Sequence, residues 1–142
     1  MINIKRISRS EAEIITRGAE KKASEIEIPM CIAVCDESGN LVSFLRMDKA
    51  KVTSIDIAID KAYTASASQK QTLDYSSTAI PGKPAFGINT TNSSRFIIIG
   101  GGIPISIEGE VIGGIGVSGG LAEEDQEVAK AAIDYFYSRV IR

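Results

Sequence analysis

The sequence predicts an α+β fold in which five mostly antiparallel strands form a sheet flanked by helices. Segments of helical and strand periodicity follow one another in the order α-ββ-α-βββ-α, without the regular strand–helix alternation that a parallel sheet requires. The chain has 142 residues, of which 44% are hydrophobic and 24% charged, as is typical of one globular domain. We therefore expect a single domain over residues 1–142.

The first predicted elements are a helix and a β-hairpin. Residues 9–26 carry apolar side chains at helical spacing, and Pro29 ends this segment. The start of the helix holds two serine–glutamate capping boxes, Ser8 with Glu11 and Ser10 with Glu13. Apolar runs at residues 30–35 and 41–45 flank a short polar segment, so they predict two paired strands.

A second helix and a long loop occupy the middle of the chain. Thr53 is a good N-cap, and the apolar residues that follow at helical spacing predict a helix that ends near Lys70. Residues 72–94 are rich in Ser, Thr, Asn and Gly and contain Pro81 and Pro84, so they predict a loop. Loops of this length in compact domains usually serve a function.

Three strands and a final helix are predicted in the C-terminal part. The strands cover residues 95–99, 103–107 and 111–117, and glycines separate them. Residues 122–140 form one apolar helical face. Acidic residues suit the first turn of this helix, and they are Glu123, Glu124 and Asp125.

Composition excludes several classes of function. A net charge of −2 with mixed signs leaves no basic stripe for nucleic acid, and no apolar stretch approaches the roughly 20 residues of a membrane span. No secretory signal is visible, so we expect a cytoplasmic protein. The chain has no histidine, which removes the commonest general base, zinc ligand and haem ligand. No metal site is predicted.

Two cysteines fall in the first predicted strand. Cys31 and Cys35 are four residues apart, which in a strand separates them by roughly 13 Å. This distance is too long for a disulfide. We expect buried core thiols, because free cysteine is among the most buried residue types.

Gly114, Gly116 and Gly119 match the spacing of the dinucleotide-binding fingerprint. The context of that motif is missing, because only one helix remains after it and a Rossmann unit needs a second parallel strand. The glycines instead predict a bare strand face, which another backbone, a helix or a flat ligand can approach closely. A second glycine cluster extends that face, namely Gly100, Gly101 and Gly102.

Polar residues on and near the second helix are the candidate ligand contacts. Lysine acts as a base when it is desolvated and tyrosine can donate a proton, which singles out Lys61 and Tyr63, with Thr64 beside them. Arg46 directly follows the predicted hairpin. Each of these charged residues is either part of a site or an ordinary surface charge.

Separated blocks along nearly the whole chain resemble the GlcG/HbpS family. They are residues 32–36, 39–41, 46–48 and 61–65, followed by the glycine-rich residues 100–105 and 111–120, which Asp125 and Gln126 continue. The segment Pro-Gly-Lys-Pro-Ala-Phe-Gly at residues 81–87 resembles the C-terminal domain of PduO-type corrinoid adenosyltransferases and the OrfY-like proteins.

The resemblance implies a profilin-like, three-layer fold that assembles into a homo-oligomer, with haem or cobalamin as candidate cofactors. It does not imply adenosyltransferase activity, which belongs to a different PduO domain. Lys49 stands where the family has glycine, and Lys21 and Lys22 stand where haem-binding relatives often have histidine. Histidine ligation of haem is therefore excluded, and Tyr63, Tyr75, a cysteine or a methionine remains as an iron ligand.

We expect an oligomeric protein that binds a small molecule or a tetrapyrrole, as an accessory to cobalamin-dependent diol or glycerol utilisation. The expected site lies between the glycine-rich strands and the second helix, under a lid around residues 84–86, and its ligand-binding residues are Lys61, Thr64, Phe86, Gly100, Gly101, Gly102, Gly114 and Gly116. One alternative is a hydroxylaminobenzoate-type lyase, with Lys61 or Tyr63 as the acid–base group and Arg46 or Lys83 holding a carboxylate. Another alternative is a structural assembly partner without a ligand.

Overall fold

One antiparallel sheet of four strands organises the chain in the computed structural model, which describes residues 1–140. The sheet order is β2-β1-β4-β3, and every neighbouring pair is antiparallel. The strands and long helices are α1 (Arg9–Glu25), β1 (Cys31–Asp36), β2 (Leu41–Arg46), α2 (Thr53–Ser68), β3 (Gly102–Ile107), β4 (Glu110–Ser118) and α3 (Ala122–Val140). The predicted α+β class and antiparallel pairing are therefore confirmed.

The predicted fifth strand, residues 95–99, is wrong. This segment forms no ladder, because the side-chain hydroxyl of Thr64 on α2 binds its backbone instead: it accepts the N–H of Ile97 at 3.0 Å and donates to the carbonyl of Arg95 at 3.1 Å. Phe96 is buried and packs edge-on against Tyr75, with 4.8 Å between the ring centroids. The apolar run that suggested a strand thus reflects packing of the loop against α2.

The helices begin close to the predicted positions. At α1 the capping box of Ser8 and Glu11 forms, with the Ser8 N–H donating to Glu11 Oε2 at 2.8 Å. The second predicted box is wrong as a cap, because Ser10 already lies inside the helix. Thr53 is the first residue of α2 rather than its N-cap, and no side chain caps this helix. The loop between α2 and β3 contains three short 3-10 helices, Thr72–Tyr75, Ile88–Thr90 and Asn92–Ser94.

The sheet separates two apolar clusters, so the fold has three layers. Ile32 and Val34 of β1 face the cluster formed with α1 and α3. Cys31, Ala33 and Cys35 point to the opposite face and pack with Ala residues of α2, as the two-residue period of a strand requires. Both thiols are buried, as predicted, and burial raises the pKa of Cys35 to about 12.

The backbone of α2 contacts β4 directly at two glycines. A Cβ atom added at Gly114 would lie 2.7 Å from the carbonyl oxygen of Ala62, and one added at Gly116 would overlap the carbonyl oxygen of Ala58. The bare strand face expected from the sequence therefore exists, and helix α2 occupies it. This close approach brings the polar side chains of α2 to the end of β4.

Within residues 1–140, no helix has both the length and the apolar character needed to cross a membrane.

We predict that Gly116→Ala lowers the free energy of unfolding by about 1–3 kcal/mol or more, because the methyl group must push α2 away from the sheet. Gly100→Ala is the matched control: Gly100 is also buried, but an added Cβ would find its nearest neighbour at an ordinary 3.4 Å. Urea denaturation of both variants measures the difference. Equal midpoints for the two variants would show that the contact with α2 does not limit this position.

Candidate functional site

A buried ion pair joins α2 to the start of α3. Lys61 Nζ lies 2.9 Å from Asp125 Oδ2, and the two side chains are only 2% and 4% exposed. Lys61 Nζ also donates to the carbonyl of Val117 at 2.9 Å, while Asp125 Oδ1 accepts the N–H of Gly120 at 2.9 Å. Both charges are thus held in fixed positions by the backbone at the end of β4.

Glycine makes room for this pair. A Cβ atom added at Gly101 would lie 2.8 Å from Lys61 Nζ and 2.9 Å from Asp125 Cβ, and Gly101 has a φ of +124°. Such a φ is accessible to glycine and strained for other residues. The stem of Lys61 passes Gly116, where an added Cβ would lie 3.0 Å from the Cβ of Lys61.

Burial shifts both groups of the pair toward their neutral forms. Desolvation lowers the pKa of Lys61 below its ordinary value, against the opposing attraction of Asp125. Desolvation likewise raises the pKa of Asp125, against the opposing charge of Lys61 and the hydrogen bond from Gly120. A lysine and a carboxyl whose pKa values approach each other can exchange a proton with a bound molecule more readily than ordinary surface groups.

An open cavity of about 200 Å³ reaches the ion pair. Its polar lining includes Lys61, Asp125, and two buried serines, Ser54 and Ser118. Ser118 Oγ donates to Ser54 Oγ at 3.2 Å. Thr53 and Ala122, the first residues of α2 and α3, also line the cavity. The arrangement can therefore present ammonium, carboxyl and hydroxyl groups to one small ligand.

The structure brings together some of the predicted site residues. Lys61 lies beside Gly101, and Gly102 contacts the backbone of Lys61. Gly100 adjoins the start of α3, where an added Cβ would lie 3.4 Å from the carbonyl oxygen of Ala122. Gly114 and Gly116 face the backbone of α2 and are covered by it.

Other predicted site residues lie elsewhere. Tyr63 and Thr64 line a separate cavity of about 170 Å³. The hydroxyl of Thr64 is engaged with backbone groups of residues 60, 95 and 97. Phe86 is 65% exposed on the loop, and Arg46 is exposed at the end of β2. The residues predicted from the sequence therefore do not form one site.

Sequence reasoning missed Asp125, Ser54 and Ser118 as site residues. The sequence indicates Asp125 as a favourable acid in the first turn of a helix and as part of the family resemblance, but not as a site residue. A signal for its role was present: Lys61 falls on the alanine-rich face of α2 that packs on the sheet, and a lysine on a buried face requires a buried acidic partner. The partner itself is 64 residues away, so spacing could not identify it.

Around Tyr63, a second group of polar contacts forms beside Phe96. The Tyr63 hydroxyl donates to Asn92 Oδ1 at 2.9 Å, and the guanidinium of Arg95 lies 4.0 Å from the centroid of the Tyr63 ring. Arg95 Nε also pairs with Asp60 at 3.1 Å. This cluster combines a phenol, a cation and apolar surface.

We predict that Lys61→Met lowers the free energy of unfolding by about 3–5 kcal/mol, because it leaves the carboxyl of Asp125 buried without its partner. In this variant, the Asp125 carboxyl keeps its proton to higher pH in the folded state than in the unfolded state. The stability of the variant therefore falls as the pH rises from about 4. Denaturation of the wild type and the variant at several pH values measures this.

The double variant Lys61→Met, Asp125→Leu is the control for this prediction. It removes both charges, so it should recover most of the lost stability and the pH dependence specific to Lys61→Met should disappear. A double variant as unstable as Lys61→Met would mean that the cost comes from packing rather than from the unpaired carboxyl.

Comparisons with known proteins identify the family of this chain. A family model described as haem degrading protein HbpS-like matches residues 7–134. The chain is 41% identical over 130 residues to the 15.0 kDa protein of the dhaT–dhaS intergenic region of Citrobacter freundii, covering 92% of each protein.

Two crystal structures are similar along most of their length. Klebsiella pneumoniae protein ORFY has a TM-score of 0.95 and 38% identity, covering 97% of this chain and 95% of that one. A PduOC:heme complex has a TM-score of 0.88 and 30% identity, covering 92% of this chain and 94% of that one. The predicted resemblance to PduO C-terminal and OrfY-like proteins is thereby confirmed, and the chain belongs to the HbpS-like family.

Proposed function

We propose that this protein is an oligomeric binding protein that holds a small polar molecule above the Lys61–Asp125 ion pair. The observation that carries the proposal is the position of that pair: both side chains are almost fully buried, yet they line an open cavity of about 200 Å³. A ligand that enters the cavity meets two titratable groups and two serine hydroxyls at once.

Stability alone does not explain the ion pair. Taking two charges out of water costs several kcal/mol for each ion, and apolar residues of similar volume often serve stability equally well. The pair has backbone partners that fix its orientation, at Val117 and Gly120, and an open side toward the cavity. Oriented groups with shifted pKa values in a cavity are typical of ligand-binding and reactive sites.

The structure supports binding over the lyase alternative. That alternative placed Arg46 or Lys83 as the group that holds a carboxylate near Lys61 or Tyr63. Neither Arg46 nor Lys83 lines the Lys61 cavity, and Tyr63 lines a different one. Lys61 and Asp125 can still move a proton to or from a bound molecule, so weak acid–base activity is compatible with the proposal.

The proposal predicts that at least one of three small probes binds with one site per chain: propane-1,2-diol, ethanolamine or butyrate. The probes represent a neutral, a cationic and an anionic ligand of a size that the cavity admits. Titration calorimetry with the wild type gives affinity and stoichiometry. NMR shift mapping should place the perturbed amides at residues 118–122 and around Lys61.

The double variant Lys61→Met, Asp125→Leu is again the control, because it keeps a filled core while removing the polar groups of the pair. It should lose the binding that the wild type shows. Equal binding by the double variant, or the failure of all three probes, would overturn the proposal.

A tetrapyrrole is the second candidate ligand, favoured by the heme complex of the PduOC relative. The Lys61 cavity does not fit it, because about 200 Å³ is below the roughly 300–1,000 Å³ of sites for larger organic ligands. The cysteines do not fit either, since they are buried and the pKa of both thiols is raised, whereas iron binds the thiolate.

The surface around Phe96 fits a tetrapyrrole better. Tyr63 offers a phenolic oxygen, Arg95 offers a cation for a propionate group, and an apolar hollow of about 300 Å³ adjoins them along residues 96–99. A bound haem would supply an iron centre for ligand exchange or redox chemistry. In this arrangement Tyr63 would hold the iron and Arg95 would orient the macrocycle.

For this second candidate we predict a saturable, stoichiometric absorbance change on titration with haem, lost in Tyr63→Phe. Tyr75→Phe is the matched control, because the Tyr75 ring packs against Phe96 and the variant keeps that contact. A parallel titration with cobalamin distinguishes iron ligation from general tetrapyrrole binding. If neither haem nor cobalamin gives a saturable absorbance change, the tetrapyrrole function is excluded.

A further inference from the structure

We propose that the ligand of the Lys61 cavity is a small organic acid, whose carboxylate lies at the polar end and whose apolar body lies against the apolar side chains of the lining. This inference rests on the proposed function and names its ligand class. It follows from the charge of the cavity, from its unused hydrogen-bond donors and from the apolar side chains in and beside its lining.

The charged residues that line the cavity carry a net positive charge. Lys51, Lys61 and Asp125 line it, and Lys61 and Asp125 neutralise each other. Lys51 is exposed and pairs with no acidic side chain within residues 1–140. One net positive charge matches one carboxylate.

Two hydrogen-bond donors of the cavity have no acceptor within residues 1–140. Ser54 is 3% exposed; its oxygen accepts from Ser118, and its own hydrogen is donated to no group within residues 1–140. The N–H of Ala122, at the start of α3, also has no acceptor in that part of the chain. Unused donors at a helix N-terminus favour an anion, because the helix dipole is positive there.

Acidic groups near the cavity limit how much negative charge the ligand carries. Glu123 and Glu124 lie in the first turn of α3, and Glu124 Oε1 accepts the N–H of Leu121 at 2.8 Å. These carboxylates, together with Asp125, would repel a doubly charged phosphate. A carboxylate with a single charge is the better match, which agrees with the absence of a nucleotide motif in its proper context.

Apolar side chains lie in and beside the lining of the cavity. Ile57 and Ile99 line it, and Val52 and Leu121 are the chain neighbours of the lining residues Thr53 and Gly120. Val52 and Leu121 are 67% and 68% exposed, and Ile99 is 51% exposed. Exposed apolar side chains around a polar cavity suit an amphipathic ligand. Since a cavity of about 150 Å³ holds benzene, the volume here suits an acid of roughly six to ten non-hydrogen atoms.

The test compares three probes by titration calorimetry: butyrate, its neutral amide butyramide, and acetate, which keeps the charge but lacks most of the apolar body. We expect butyrate to bind at least 10-fold more tightly than either of the others. We expect Lys51→Gln to weaken the affinity for butyrate about 3- to 10-fold. Lys130→Gln, which removes an exposed lysine on α3 away from the cavity, should leave this affinity unchanged.

The outcomes separate this inference from the proposed function. If propane-1,2-diol binds through the Lys61–Asp125 pair and butyrate does not, the proposed function stands and the organic acid is wrong. If butyramide binds as tightly as butyrate, or Lys51→Gln has no effect, the assignment of a carboxylate is wrong. If none of the probes binds, both proposals fall.

Ile99→Ser tests the apolar lining of the cavity. It should weaken butyrate several-fold while leaving acetate affinity and the oligomeric state unchanged. If the variant instead changes the sedimentation of the oligomer and leaves butyrate affinity unchanged, a second copy of the chain covers this surface and the role assigned to Ile99 is overturned.

Discussion

The close contact between the backbones of α2 and β4 is the constraint on which the rest of this structure depends. Side chains of ordinary size at positions 114 and 116 would hold the helix away from the sheet. Because glycine occupies both positions, the backbone of α2 lies close enough to the sheet for the side chain of Lys61 to extend beyond the end of β4 and reach Asp125 on α3. The cavity, the buried ion pair and the position of the N-termini of α2 and α3 beside it all follow from this close contact between helix and sheet.

Local periodicity was sufficient to predict most of the fold. The three helices and the first hairpin carry the spacing of apolar residues that their geometry demands, and the structure places them within a few residues of the predicted bounds. The fifth strand failed for a physical reason: an apolar run at residues 95–99 can bury its side chains without pairing its backbone. A single hydroxyl, that of Thr64, holds the segment in its place, and sequence patterns do not reveal such a contact.

The candidate site was predictable only in part. Lys61 stood out as a lysine that could act as a base when desolvated, but its partner and the two serines come from distant parts of the chain. The glycines were correctly interpreted as a bare surface, with either a helix or a ligand as its occupant. Only the structure distinguishes a helix from a ligand here, since either one requires a strand face without side chains.

The ion pair also links the two helical layers directly, past the end of the sheet. Lys61 belongs to the helix on one face and Asp125 to a helix on the other. Local opening of either helix would therefore leave the charged side chain of the other helix buried without its partner. This cost disfavours independent opening of the two helices. The two faces of the sheet are thus expected to open as one cooperative unit in native-state hydrogen exchange, and a ligand resting on the pair would strengthen that coupling from outside the core.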